Sequence, residues 1–149
     1  MKFVIFKGIE GFSDRIQCLL YIINYAKQSN RTIVVDWTDK EWSHNKFEDF
    51  DHYFYLENIT HYTLNELRIH LNGKSFSVAP SSWKNDIFKT PSGFVYSNNY
   101  LFNNENKIFS DIIKKKKPDF KEDIVIYSGV KFREYTYNLF LNHFRLKIF

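Results

Sequence analysis

Apolar residues in this chain come as short dense runs separated by amphipathic stretches. Phe3-Val4-Ile5-Phe6 is a continuous apolar run, the pattern of a strand covered on both faces. Ile33-Val34-Val35 repeats it, residues 75–79 read as a third strand ended by Pro80, and residues 123–127 read as a fourth. Between the first two runs, Ile16, Leu19, Leu20, Ile23 and Ala26 recur at helical spacing, with Gln17, Asn24 and Gln28 on the other side. Gly8 and Gly11 mark the turn before that helix. Ser13 is the expected N-cap, Asp14 suits the positive helix end, and Asn30 can close the helix in the left-handed conformation.

The pattern loosens further on. Residues 47–56 alternate aromatics and acids without a clean period and read as short helix or irregular chain. Thr63 and Glu66 form a capping box for a helix through Leu64, Leu67 and Leu71 that Gly73 stops. Residues 83–100 carry Pro91 and Gly93 and read as loop or an edge hairpin, while residues 104–117 and 138–149 read as helices. Strands alternating with helices imply an α/β fold, a Rossmann-like three-layer α/β/α domain with a mostly parallel sheet. With no repeat, linker or compositional break, residues 1–149 are expected to form one domain.

Composition narrows this picture modestly. Sixteen Phe and ten Tyr in 149 residues allow a substantial core. There is no apolar run long enough for a transmembrane helix. Residues 3–6 are too short for a signal-peptide core. The single cysteine, Cys18, excludes an internal disulfide, so a cytoplasmic chain is expected. A net charge of +4 permits an anionic ligand without pointing to nucleic acid. Lys114 to Lys117 follow Ile112 and Ile113 and precede Pro118, which reads as a helix C-terminus. A phosphate or membrane patch is the alternative.

Two segments are candidates for chemistry. The turn Gly8-Ile9-Glu10-Gly11-Phe12-Ser13-Asp14-Arg15 could expose amides at a helix N-terminus to phosphate or carboxylate, with Arg15 adding a guanidinium. Its plainer reading is a tight βα connection in which Arg15 pairs with Asp36 or Glu10. Asp36 closes the second strand, where dinucleotide-binding units keep an acid. Here, however, the pattern is G-x-x-G-x-x-D, and Asp14 would set a negative charge beside a pyrophosphate. The second segment, Asp36-Trp37-Thr38-Asp39-Lys40-Glu41-Trp42, could build a sugar site from indole faces and carboxylates. Alternatively, both tryptophans are lids over the core. The five histidines lack metal spacing, and no nucleophile elbow or P-loop is present, so no metal is expected. Glu48, Asp49 and Asp51 read as a solvated acidic turn, a catalytic base among them being the alternative.

Gly11-Phe12-Ser13-Asp14-Arg15-Ile16, then Asn30-Arg31-Thr32-Ile33-Val34-Val35-Asp36-Trp37, then Asp39 and Trp42, resemble the start of the fucosyltransferase-like glycosyltransferases. That superfamily comprises the nodulation-type α-1,6-, the α-1,2- and the protein O-fucosyltransferases. The resemblance implies one half of a GT-B architecture, the N-terminal domain receiving the acceptor while a C-terminal domain binds a nucleotide-sugar such as GDP-fucose. It implies sugar transfer to a hydroxyl or glycan acceptor with no metal or other cofactor, and leaves room for a homo-oligomer. It places Gly11, Phe12, Ser13, Asp14 and Arg15 on the cleft, with Asp36, Trp37, Asp39 and Trp42 near the acceptor, and assigns no catalytic base. Two departures stand out. Ser13 occupies the place of the family's second glycine, and the H-x-R motif of the donor-binding half is missing from the sequence. The chain is therefore expected to be a truncated piece, inactive by itself. The rival expectation is a degenerate, non-catalytic relative that binds glycan or a partner.

Overall fold

The computed structural model describes residues 1–9, 11–39, 49–90, 108–109, 111–128 and 143–146. The first apolar run forms strand β1 (Phe3–Lys7), the amphipathic stretch helix α1 (Phe12–Ser29), and the second run strand β2 (Thr32–Asp36). A short helix α2 (Phe50–Tyr53) runs into β3 (Phe54–Leu56). Then come β4 (His61–Tyr62), helix α3 (Leu64–Leu71) and β5 (Val78–Ala79). A 3-10 turn occupies Ser81–Trp83, residues 108–109 and 111–113 are helical, and β6 (Ile124–Tyr127) and β7 (Phe144–Leu146) follow.

Five strands make one all-parallel sheet in the order β4-β2-β1-β6-β5. Both faces of the central strands are buried, which explains why they read as continuous apolar runs rather than alternating ones. On one face Val4, Phe6, Ile33, Val35, Val125 and Tyr127 pack against α1 and against Phe109 and Ile112. On the other, Phe3, Ile5, Val34, Ile124 and Ile126 pack against Leu67 and Leu71 of α3 and against Trp83. The period of two along each strand thus divides one apolar run between two cores. The expected α/β Rossmann-like fold is present.

Helix ends follow local chemistry closely. Asn30 closes α1 in the left-handed conformation at φ 55°, its amide bonded to the Ala26 carbonyl. The capping box at α3 is complete, with Thr63 and Glu66 each satisfying the other's amide. The helical turn through 111–113 ends with Lys116 donating to the Asp111 carbonyl, Lys115 donating to that of Ile112, and Lys115 at φ 58°. That paired pattern is a Schellman stop.

Several expectations change. α1 begins at Phe12 with Gly11 as its N-cap and no capping side chain, so Ser13 lies inside the first turn. The third strand shrinks to Val78–Ala79, and β4, too short to show a period, joins the sheet edge. Residues 144–146, expected to be helical, instead pair antiparallel with β3 as a two-stranded ribbon. The ribbon prevails because β3 offers an edge to pair, and Glu57 and Lys27 meet the polar groups of residues 143 and 145. Arg145 pairs with Glu57 at 3.2 Å, and the buried His143 ring bridges the Glu57 carbonyl and the Lys27 ammonium. Residues 91–107, 129–142 and 147–149 lie outside the described residues, with what the sequence leads one to expect there.

Candidate functional site at the carboxyl edge of the sheet

Parallel strands deliver their last residues to one edge, and here β1 and β2 deliver Lys7 and Asp36 in register. Both are buried. Lys7 Nζ donates to Asp36 Oδ2 at 2.7 Å and to the Lys89 carbonyl at 2.8 Å, and lies 5.2 Å from the centre of the Trp83 ring. The other Asp36 oxygen accepts from the amide and hydroxyl of Thr38. A buried charge needs this degree of compensation to be tolerated.

Gly8 follows, its amide donating to the Asp36 carbonyl at 2.8 Å. A Cβ at this position would sit 2.5 Å from Trp37 Cδ1 and 2.7 Å from its Nε1. Close approach of an indole, rather than of a ligand, is therefore what requires glycine here. Trp37 fills the space between Gly8 and a group of aromatics, meeting Phe50, Phe54 and Phe12 edge-on at 4.9, 6.0 and 6.1 Å.

Arg15, only 5% exposed, turns inward from the first turn of α1. Its guanidinium lies 5.7 Å from the Trp37 ring centre, and Nη1 donates to the Trp37 carbonyl at 3.2 Å. Burial lowers the Arg15 pKa, while Asp39, Asp36 and Asp49 oppose that shift. Asp49 holds the exit of β2 to the start of α2: its Oδ1 accepts from the amides of Trp37 at 2.6 Å and Phe50 at 2.7 Å. Burial, and then the Asp36 charge, push the Asp49 carboxyl up to about 6, against the pull of those two amides and of Lys7.

The nine residues singled out in the sequence thus separate. Arg15, Asp36, Trp37 and Asp39 are buried together behind the edge, with Lys7 buried among them and Asp49 half-buried beside them. Gly11, Phe12 and Ser13 are exposed and Asp14 half-buried at the helix start. Trp42 lies outside the described residues. Among the described residues nothing comes within 4 Å of a Cβ built on Gly11, and the amides of the first helical turn have no intrahelical acceptor. Phe12 is 59% exposed and touches Trp37 and Phe54, so it offers an aromatic face beside those amides. Chemically, this surface can present N–H donors to an oxyanion or hydroxyl and a ring to an apolar face. Sequence reasoning passes over Lys7 and puts Asp49 in a solvated turn. The signal for Lys7 is a charge ending a wholly apolar strand. For Asp49 it is Phe50 beside it, which sinks into the core and carries the acid with it.

Among the described residues no group of three His, Cys, Asp or Glu side chains is placed to hold a metal ion, and no helix is long and apolar enough to cross a membrane. No family model matches the chain, and no curated protein matches it by sequence. Solved structures do match in fold. The crystal structure of NodZ α-1,6-fucosyltransferase soaked with GDP-fucose superposes with a TM-score of 0.65 at 17% identity, over 98% of this chain and 50% of that one. Fucosyltransferase NodZ from Bradyrhizobium does so at 0.65 and 16%, over 98% and 51%, and NodZ co-crystallised with GDP gives the same figures. The chain spans about half the length of these proteins and shares the fold of that half.

Proposed function

We propose that this chain is the acceptor-side, N-terminal domain of a fucosyltransferase-like glycosyltransferase with GT-B architecture. The observation that carries this reading is the superposition of nearly the whole chain on half of the NodZ fold. In the intact enzyme a sugar would pass from a nucleotide-sugar such as GDP-fucose to a hydroxyl or glycan acceptor. A base would take the hydroxyl proton, and cationic groups of a second domain would stabilise the leaving diphosphate. On this reading Gly11, Phe12, Ser13 and Asp14 line the cleft. Arg15, Asp36, Trp37 and Asp39 hold its wall in place from behind, and Trp42 extends it.

The reading is tested by titrating the labelled chain with a short oligosaccharide and with GDP-fucose. Amide shifts confined to residues 11–14, and about tenfold weaker oligosaccharide binding by Phe12→Ala, are expected. The chain by itself should release GDP no faster than buffer does. Oligosaccharide that leaves residues 11–14 unmoved would overturn the cleft assignment. Nucleotide release that follows the purified protein would overturn the division of labour between two domains.

A second reading, a non-catalytic glycan-binding or interaction module, is favoured by the inward commitment of Arg15, Asp36 and Asp39. Binding an oligosaccharide with no affinity for any nucleotide would support it.

A further inference from the structure

At the far end of α1 from the candidate cleft, about 27 Å along an 18-residue helix, is a second site. A cavity of about 500 Å³ opens between the last turn of α1 and the segment leading to β6. Ile112, Lys115, Lys116, Lys117, Pro118 and Asp119 line most of it. Three consecutive lysines exceed what ending a helix requires. Lys115 even takes the left-handed position, at φ 58°, where glycine or asparagine fits with less strain.

Among the described residues the charges of this cavity are unbalanced. Lys115 and Lys116 are exposed, and among the described residues neither pairs with an acid. Lys117 reaches Asp111 only at 3.8 Å from an exposed position. Asp119, the one acid among the described lining residues, is already engaged by the Tyr25 hydroxyl and the Arg31 guanidinium. In the last turn of α1 the carbonyls of Tyr25 and Ala26 accept from Ser29 Oγ and from the amides of Asn30 and Arg31, while Gln28 and Ser29 bring the negative helix end to the cavity, where the three lysines face it. What remains is a cationic rim beside the apolar Ile112 and Pro118, in a volume typical of small-molecule sites.

We propose that this cavity binds a phosphorylated small molecule, the lysines taking the phosphate and Ile112 and Pro118 the ring or apolar portion. The site is independent of the reading given to the carboxyl edge. The 149-residue chain is titrated at low ionic strength with adenosine monophosphate and, separately, with inorganic phosphate, following backbone amide signals. Adenosine monophosphate should saturate one site, shift residues 28–29 and 112–119, and bind about tenfold tighter than inorganic phosphate. Lys116→Gln should weaken it about tenfold, as should Lys115→Gly, which suits the local backbone and keeps the helix stop. Lys74→Gln, a lysine of another cavity, should leave affinity unchanged. Equal affinity for the two probes, or a loss with Lys74→Gln as large as with Lys116→Gln, would show only a diffuse counter-ion patch and overturn the proposal. Absence of saturation at millimolar adenosine monophosphate, or shifts at residues 11–14 instead, would overturn it too.

Discussion

Asp49 couples its protonation to the fold. Its carboxyl titrates near 6 in the folded chain against an ordinary value of 3.8, chiefly because it is buried. Between those values the folded state keeps a proton that the unfolded state gives up, so this group's contribution to stability falls as pH rises and levels off above 6. Two units correspond to at most ~3 kcal/mol. An asparagine can still accept from the Trp37 and Phe50 amides through its side-chain oxygen. Asp49→Asn is therefore expected to raise the melting temperature at pH 8 and to lose the advantage near pH 4. The difference between the two proteins reads this group together with its coupling to Asp36. A difference that does not change with pH would refute it. The two glycines of the turn should also behave unlike each other. Gly8→Ala drives a Cβ into the Trp37 indole and should cost about 1–3 kcal/mol. Among the described residues Gly11→Ala meets only open space, and its cost, read from the denaturation midpoint, should be confined to the poorer N-cap, under about 1 kcal/mol.

Elements with a strong local signal are legible in the sequence. The βαβ unit through Asp36, the α3 capping box and the Asn30 stop each depend on residues a few positions apart, and all three form. Thr63→Ala should accordingly cost about 1 kcal/mol, read as a fall in urea midpoint with unchanged slope. Elements that depend on distant partners are not legible. β4 is two residues long and exists because the β2 edge is free to pair. β7 follows from β3, some ninety positions earlier, while its own residues read as helix. The candidate site divides in the same way. The exposed helix start can be read from glycine spacing. The inward turn of Arg15 onto Trp37, and the choice of Lys7 rather than Arg15 as partner for Asp36, depend on side chains that meet only once the sheet has formed.

For the whole molecule, Arg31 is the main tie. Its buried guanidinium donates to the Asp119 carboxylate and to the carbonyls of Phe3, Phe120, Glu122 and Asp123, binding the βαβ unit to the segment that enters β6. Arg31→Leu leaves Asp119 to the Tyr25 hydroxyl and takes a donor from four carbonyls, and a loss of about 1–3 kcal/mol in a denaturant titration is expected. A loss under 1 kcal/mol would show that water replaces the guanidinium easily. The strand order has a consequence for biosynthesis. β1 is central, bonded on one side to β2, which leaves the ribosome soon after it, and on the other to β6, which emerges near residue 127. Throughout that interval the nascent chain carries a half-finished sheet. Its apolar Phe3-Val4-Ile5-Phe6 edge is open to any passing strand, the situation in which chains stick to one another. A message interrupted before the codons of β6 should therefore yield insoluble product. One that reaches them can cover the edge with its own chain.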